Sequence, residues 1–348
     1  MVKGVSDSAA NIKAAMRMLG SSFGLNCFAH KLNSCFDTAF QQTPRVVALE
    51  EKLMKTVTIT KRSSKAKRYF AECQKLAGAS TSYVLLKYCK TRWNSLKTCF
   101  ARWLQIPRKA FKLFYLEFHN PKLYKCEPLN EDDWKLLEDM NNLLSNLYEA
   151  TTELSGQKFT TLSRVIPTVM GLIEAYSNPD EGLGRTATIF SQKIASELIR
   201  RFDLENIDKA YTIAMVLDPC YKDVCHDDDP YKKSESHTLV KDEVMEEVSK
   251  DQPVVVEESI EMIDNQAKKA PPTNFKKGFF EKKAKREKKL SLIKNQREKL
   301  EIELRNYLEE GPLEEETDPI VWWIDIGKEQ FPLLFETAMK YLCIPATR

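Results

Sequence analysis

Cys27 and His30 stand three residues apart, a spacing at which a thiolate and an imidazole can share one metal ion. A structural zinc needs four ligands, and the other cluster, Cys220, Cys225 and His226, supplies no second pair at suitable spacing. The expectation is therefore a buried thiol and a hydrogen-bonded histidine, with no metal bound. Arg92 and Trp93 offer another chemistry. A guanidinium can grip a phosphate through two parallel bonds, and an indole face stacks on a base for about 1–3 kcal/mol. Between Lys61 and Lys125 sixteen Lys and Arg stand against Glu72 and Glu117, a local charge of +14. Such a block suits a polyanion, because every phosphate it neutralises releases counterions. The plainer readings are a solvated helical surface for the charges and a core position for Trp93. Asp7 precedes an apolar series, Ile12, Ala15, Met16 and Leu19, and reads as its helix cap.

The elements that must position these residues are mostly helical. The chain has 348 residues, 43% of them apolar, and a net charge of only +3. Its nine cysteines show no paired spacing, which fits free thiols in a reducing compartment, and no apolar run is long enough to span a bilayer. No signal peptide opens the sequence. Met1 to Ser6 and Leu25 to Phe28 read as short strands, with helix resuming at His30. From Arg45 to Ile213 nearly everything reads as helix. Asn130 caps the clearest case, followed by acids in the first turn and a stripe of Trp134, Leu137, Met140, Leu144, Leu147, Thr151 and Leu154 that ends at Gly156. Such stripes bury their apolar side chains against one another, so a helical bundle follows.

From Asp227 to about Asn274 the composition turns acidic and polar, as in a flexible insert, with helical propensity surviving near Glu243 to Val248. Lys276 to Arg305 is a charged helix with a narrow seam of Leu290, Ile293, Leu300 and Leu304, read as a solvated surface helix or a second phosphate-facing one. Trp322, Trp323, Phe331, Pro332, Leu334, Phe335, Tyr341 and Leu342 crowd the last stretch. Exposed together they would form a large apolar patch, so either the helical domain or a second chain must cover them.

Several separated stretches, in order, resemble the hAT transposase superfamily: Val5 to Ile12 around Asp7, Cys27-Phe28-Ala29-His30, Thr91-Arg92-Trp93-Asn94, Leu217-Asp218-Pro219-Cys220-Tyr221-Lys222, and Trp322 to Thr347. Glu149 to Pro167 has the look of members that carry a BED zinc finger. The resemblance implies a mainly α fold, a helical bundle inserted into a partial RNase H-like α/β core. The implied divisions are a partial core over 1–36, a helical insertion over 37–226, the acidic insert over 227–275, the charged helix over 276–311 and a dimerisation segment over 312–348. It also implies that Cys27 and His30 support the core, that Arg92, Trp93 and Asn94 meet DNA, and that the C-terminal aromatic set serves dimerisation. In the family three carboxylates hold two divalent ions, and Asp7 matches the second of them. The first and third would fall outside residues 1–348, and one carboxylate cannot hold two magnesium ions. The implied protein is nuclear, transposase-derived, self-associating and catalytically incompetent, with Asp7 vestigial, no cofactor, no membrane partner and DNA as a further partner. Two other readings stand beside it: a piece of an active, magnesium-dependent transposase whose remaining acids are encoded elsewhere, and a scaffold without a nucleic-acid role.

Overall fold

A computed structural model describes residues 4–6, 24–89, 93–118, 126–156, 160–251 and 275–347. Two three-residue strands, β1 (Gly4–Ser6) and β2 (Gly24–Asn26), pair in parallel with Val5 opposite Leu25. The helix expected after Asp7 lies outside the described residues, as does Asp7 itself. Helix α1 (Phe28–Gln41) starts two residues before the sequence suggests, because Phe28 turns inward and is 1% exposed.

The bundle continues through α2 (Pro44–Arg62), α3 (Ser64–Leu76), α4 (Trp93–Leu104), α5 (Arg108–Phe118), α6 (Glu131–Leu154), α7 (Val165–Ser177), α8 (Arg185–Phe202) and α9 (Lys209–Val216). Helix α6 is its axis. Asn130 accepts the N–H of Asp133 at 2.8 Å while the Asp133 carboxylate accepts that of Asn130 at 3.3 Å, a reciprocal cap. All seven members of the apolar stripe read from the sequence are buried. Helices α1, α4 and α8 pack around α6, and α3 packs on α5. Aromatic rings fill the space: Trp103 stacks on Phe111 at 4.4 Å, and Phe114 on Phe118 at 4.8 Å.

The acidic stretch corrects the sequence reading. Residues 230–251, assigned to a flexible insert, form helix α10 (Pro230–Asp251), while 252–274 lie outside the described residues. Val240 and Val244, four apart, are buried with Glu243 between them, and the helix packs on α9. A narrow seam suffices because Glu243 finds two ammonium partners, Lys209 and Lys340, each at 2.8 Å. The charged helix is present as α11 (Phe275–Glu309). Of its expected seam, Leu300 and Leu304 are buried while Ile293 is exposed, and the Leu290 side chain lies outside those described. Then come α12 (Pro319–Trp322), a π-helical turn at Trp323–Gly327, a short helical turn at Lys328–Gln330, and α13 (Pro332–Leu342), which packs on α9, α10 and α11. Among the described residues no helix is long and apolar enough to cross a membrane.

Candidate functional site

The C-terminal segment is assembled from the Leu217–Lys222 loop outward. Asp218 is fully buried, accepts the Ser163 hydroxyl at 2.6 Å and the Cys220 N–H at 3.0 Å, and has its pKa raised by burial. Lys222 takes a left-handed backbone conformation, φ 49°. Its buried ammonium donates to the Tyr307 carbonyl at 2.6 Å and stands 4.6 Å from the centre of that residue's ring. Burial lowers the amine's pKa. The Leu313 N–H donates to the Pro219 carbonyl at 2.8 Å, and the Trp323 indole N–H to the Leu217 carbonyl at 2.8 Å. One short loop therefore holds α11, the link after it and the tryptophan pair.

Local sequence explains the rest. Asp318 caps α12 by accepting the N–H of Ile320 at 2.9 Å and Val321 at 3.3 Å, with Pro319 at the first helical position. Gly327 closes the π turn where no side chain fits: a Cβ there would lie 2.3 Å from the Trp323 ring. Tyr307 completes an aromatic cluster with Trp322, Trp323 and Phe331, with ring centres 5.3 to 6.0 Å from its own. Helix α13 begins at Pro332 without a cap of its own, and Glu303 of α11 serves instead, accepting the N–H groups of Leu333 and Leu334 at 2.7 and 3.0 Å. At the other end, the Ala346 carbonyl accepts the Phe28 N–H at 3.0 Å and the Ala346 N–H donates to Thr161 at 2.9 Å. The segment thus binds both the start of α1, just after β2, and the loop before α7.

Of the eight residues expected to serve dimerisation, Trp322, Trp323, Phe331, Leu334, Tyr341 and Leu342 are buried within the chain itself. Pro332 is exposed and Phe335 half-buried. What the segment presents outward includes a pair that sequence reasoning missed, Val321 and Ile324, each 52% exposed and one helical turn apart, with Ile326 beside them at 41%. Lys328, one turn further, lies 5.6 Å from the centre of the Phe335 ring and carries the strip toward α13.

The residues expected to meet DNA fall differently. Arg92 lies outside the described residues, and Trp93 is a core side chain, 4% exposed, with its ring centre 6.0 Å from that of Phe36. Trp93 therefore does not present its ring to a base in this conformation. Asn94 is half-buried, and its side-chain oxygen has no hydrogen-bond partner among the described residues. The basic block does reach the surface. Lys61, Arg62, Lys67, Arg68 and Lys75 on α2 and α3, and Lys109 and Lys112 on α5, are exposed, whereas Lys65 pairs with Glu117 at 3.1 Å. Cys27 is buried, as expected, whereas His30 is exposed, and its carbonyl accepts the Ser34 hydroxyl. The Cys220 thiol lies within reach of the Glu314 and Thr317 carbonyls, and burial pushes it up to about 12. Among the described residues no three His, Cys, Asp or Glu side chains converge as metal ligands.

Comparison with known proteins gives two segment matches. Residues 25–143 match the ZBED1 RNase-like helical domain, and residues 303–348 match the hAT family C-terminal dimerisation region. The human zinc finger BED domain-containing protein 4 is 26% identical over 328 residues, a match covering 94% of this chain and 26% of that protein. The chain therefore spans about a quarter of that relative's length.

Proposed function

We propose that this chain, a hAT-derived relative of the zinc finger BED proteins, is a self-associating protein whose C-terminal segment joins two copies and whose basic surfaces meet DNA in the nucleus. The observation that carries the first part is the division of labour within residues 303–348. The aromatic cluster is consumed in holding the segment onto its own bundle, while Val321, Ile324 and Ile326 stay exposed on the outside. Apolar side chains that remain exposed after the core is complete are the material of an interface. A second copy is the occupant we assign, because the matched region is a dimerisation region. Light scattering on the full chain across a concentration series tests this: the account expects a mass of two chains, and a single-chain mass throughout would reject it.

The same reading assigns no strand cleavage to the chain. Among the described residues the buried carboxylates are spent on separate structural contacts: Glu50 with Tyr88, Asp133 with Arg45 and Lys52, Asp139 with Lys135 and the Gly184 N–H, Asp218 with Ser163, Asp223 with His237, Glu243 with Lys209 and Lys340. Two-metal cleavage needs several carboxylates at one place. Incubation with supercoiled plasmid and magnesium or manganese checks the point, with intact plasmid expected and nicked product contradicting it.

A further inference from the structure

Helix α11 is the longest of the described helices, and its buried residues lie toward its C-terminal end. Its 35 residues rise about 52 Å, at 1.5 Å each. The body grips its C-terminal part, where Leu300, Leu304 and Tyr307 are buried and the helix packs on α10 and α13. The ion pairs that described residues make between α11 and the body begin at Arg297, which meets Asp242 at 2.8 Å, followed by Lys241 with Glu301 at 3.3 Å. Residues 275–296 precede that grip and extend about 33 Å as helix.

This leading part is built of cations. From Lys276 to Lys294 nine Lys and Arg stand against Glu281 and Glu287. Lys282, Lys283, Arg286 and Lys294 are all exposed, and none has an acidic partner among the described residues. Lys282 and Arg286 are four apart, so their charges repel along the helix and weaken it. A helix face with four exposed cations and, among the described residues, no acid to pair them gains most from an anion laid along it. Its length of about 33 Å matches one turn of duplex DNA, about 34–36 Å, and the major groove admits an α-helix. The helix also runs unbroken into the matched dimerisation region, which starts at residue 303. Two copies joined there would carry two such arms.

We propose that residues 275–296 of α11 form a basic arm that binds duplex DNA through its phosphates without reading sequence. The single-arm contact stands by itself, while the two-armed grip rests on the self-association proposed above. The charged faces of α3 and α5 are a separate surface, on the body of the bundle.

The test is a fluorescence-anisotropy titration of the full chain against a labelled mixed-sequence duplex of about 30 base pairs, nearly three turns, over a series of salt concentrations. The arm variant is Lys282→Gln/Lys283→Gln/Arg286→Gln/Lys294→Gln, which removes charge but keeps helix-favouring side chains. Four lost phosphate contacts lower the slope of log affinity against log salt by about 3–4 per arm, and affinity near 0.1 M salt falls more than tenfold. A body variant, Lys67→Gln/Arg68→Gln/Lys109→Gln/Lys112→Gln, is expected to change both quantities less. Unchanged affinity and slope in the arm variant would overturn the proposal, as would wild-type binding to anionic phosphatidylserine vesicles or single-stranded RNA but not to the duplex. Light scattering on the same samples separates the two readings. A single-chain mass with the arm effect intact supports the arm and rejects self-association, whereas a two-chain mass with no arm effect rejects the arm alone.

Discussion

At the scale of single residues the C-terminal segment depends on shape more than on charge. Gly327 lies against the Trp323 ring, so Gly327→Ala is expected to destabilise the chain by about 1–3 kcal/mol, as overpacking does. Trp323→Phe keeps most of the ring but strips the Leu217 carbonyl of its indole donor, a loss of about 1–3 kcal/mol. Urea denaturation measures both, and a wild-type midpoint in either variant would contradict the packing described. The sequence announces that Trp322 and Trp323 are buried, but not by what. It also hides Val321 and Ile324, because the π turn at Trp323–Gly327 breaks the regular helical period from which inside and outside are read. Trp93 is legible only as two alternatives, core or base-stacking. Burial against Phe36 gives the core position, and sequence spacing holds no trace of that distant partner.

At the scale of elements, the long regular helices follow from periodicity, and α6 matches its expected stripe residue for residue. Helix α10 does not, because its narrow apolar seam is joined by ion pairs to residues elsewhere in the chain. Glu243 joins Lys209, the first residue of α9, to Lys340 on α13. Burial works to raise its carboxyl, but hydrogen bonds from Lys209, Lys340 and Tyr341 outweigh it and hold the pKa at about 2, below the ordinary 4.5. A depressed folded-state carboxyl adds stability that is complete above about pH 4.5 and lost as pH falls toward 2. Thermal melts from neutral to acid pH should therefore show less acid sensitivity for Glu243→Gln than for wild type, together with a lower neutral melting temperature. Parallel curves would contradict the ionic junction. Helix α13 borrows its cap as α10 borrows its ion pairs. Glu303→Ala frees the N–H groups of Leu333 and Leu334 and is expected to cost about 1 kcal/mol, measured by urea denaturation.

At the scale of the whole molecule, the described residues leave two unrelated kinds of surface that bear on function: an apolar strip on the C-terminal segment and basic faces on α3, α5 and the leading part of α11. The basic faces are legible as charge runs in the sequence, whereas the strip emerges only once the aromatic residues around it are committed to the interior. The separation predicts independent behaviour, with association insensitive to salt and DNA contact falling steeply with it. Mass measurement by light scattering on Val321→Glu/Ile324→Glu beside wild type tests the central claim most directly, since both side chains are already half-exposed and the fold does not rest on them. The account predicts two chains for wild type and one for the variant, with unchanged circular dichroism. A variant that keeps the two-chain mass would contradict it.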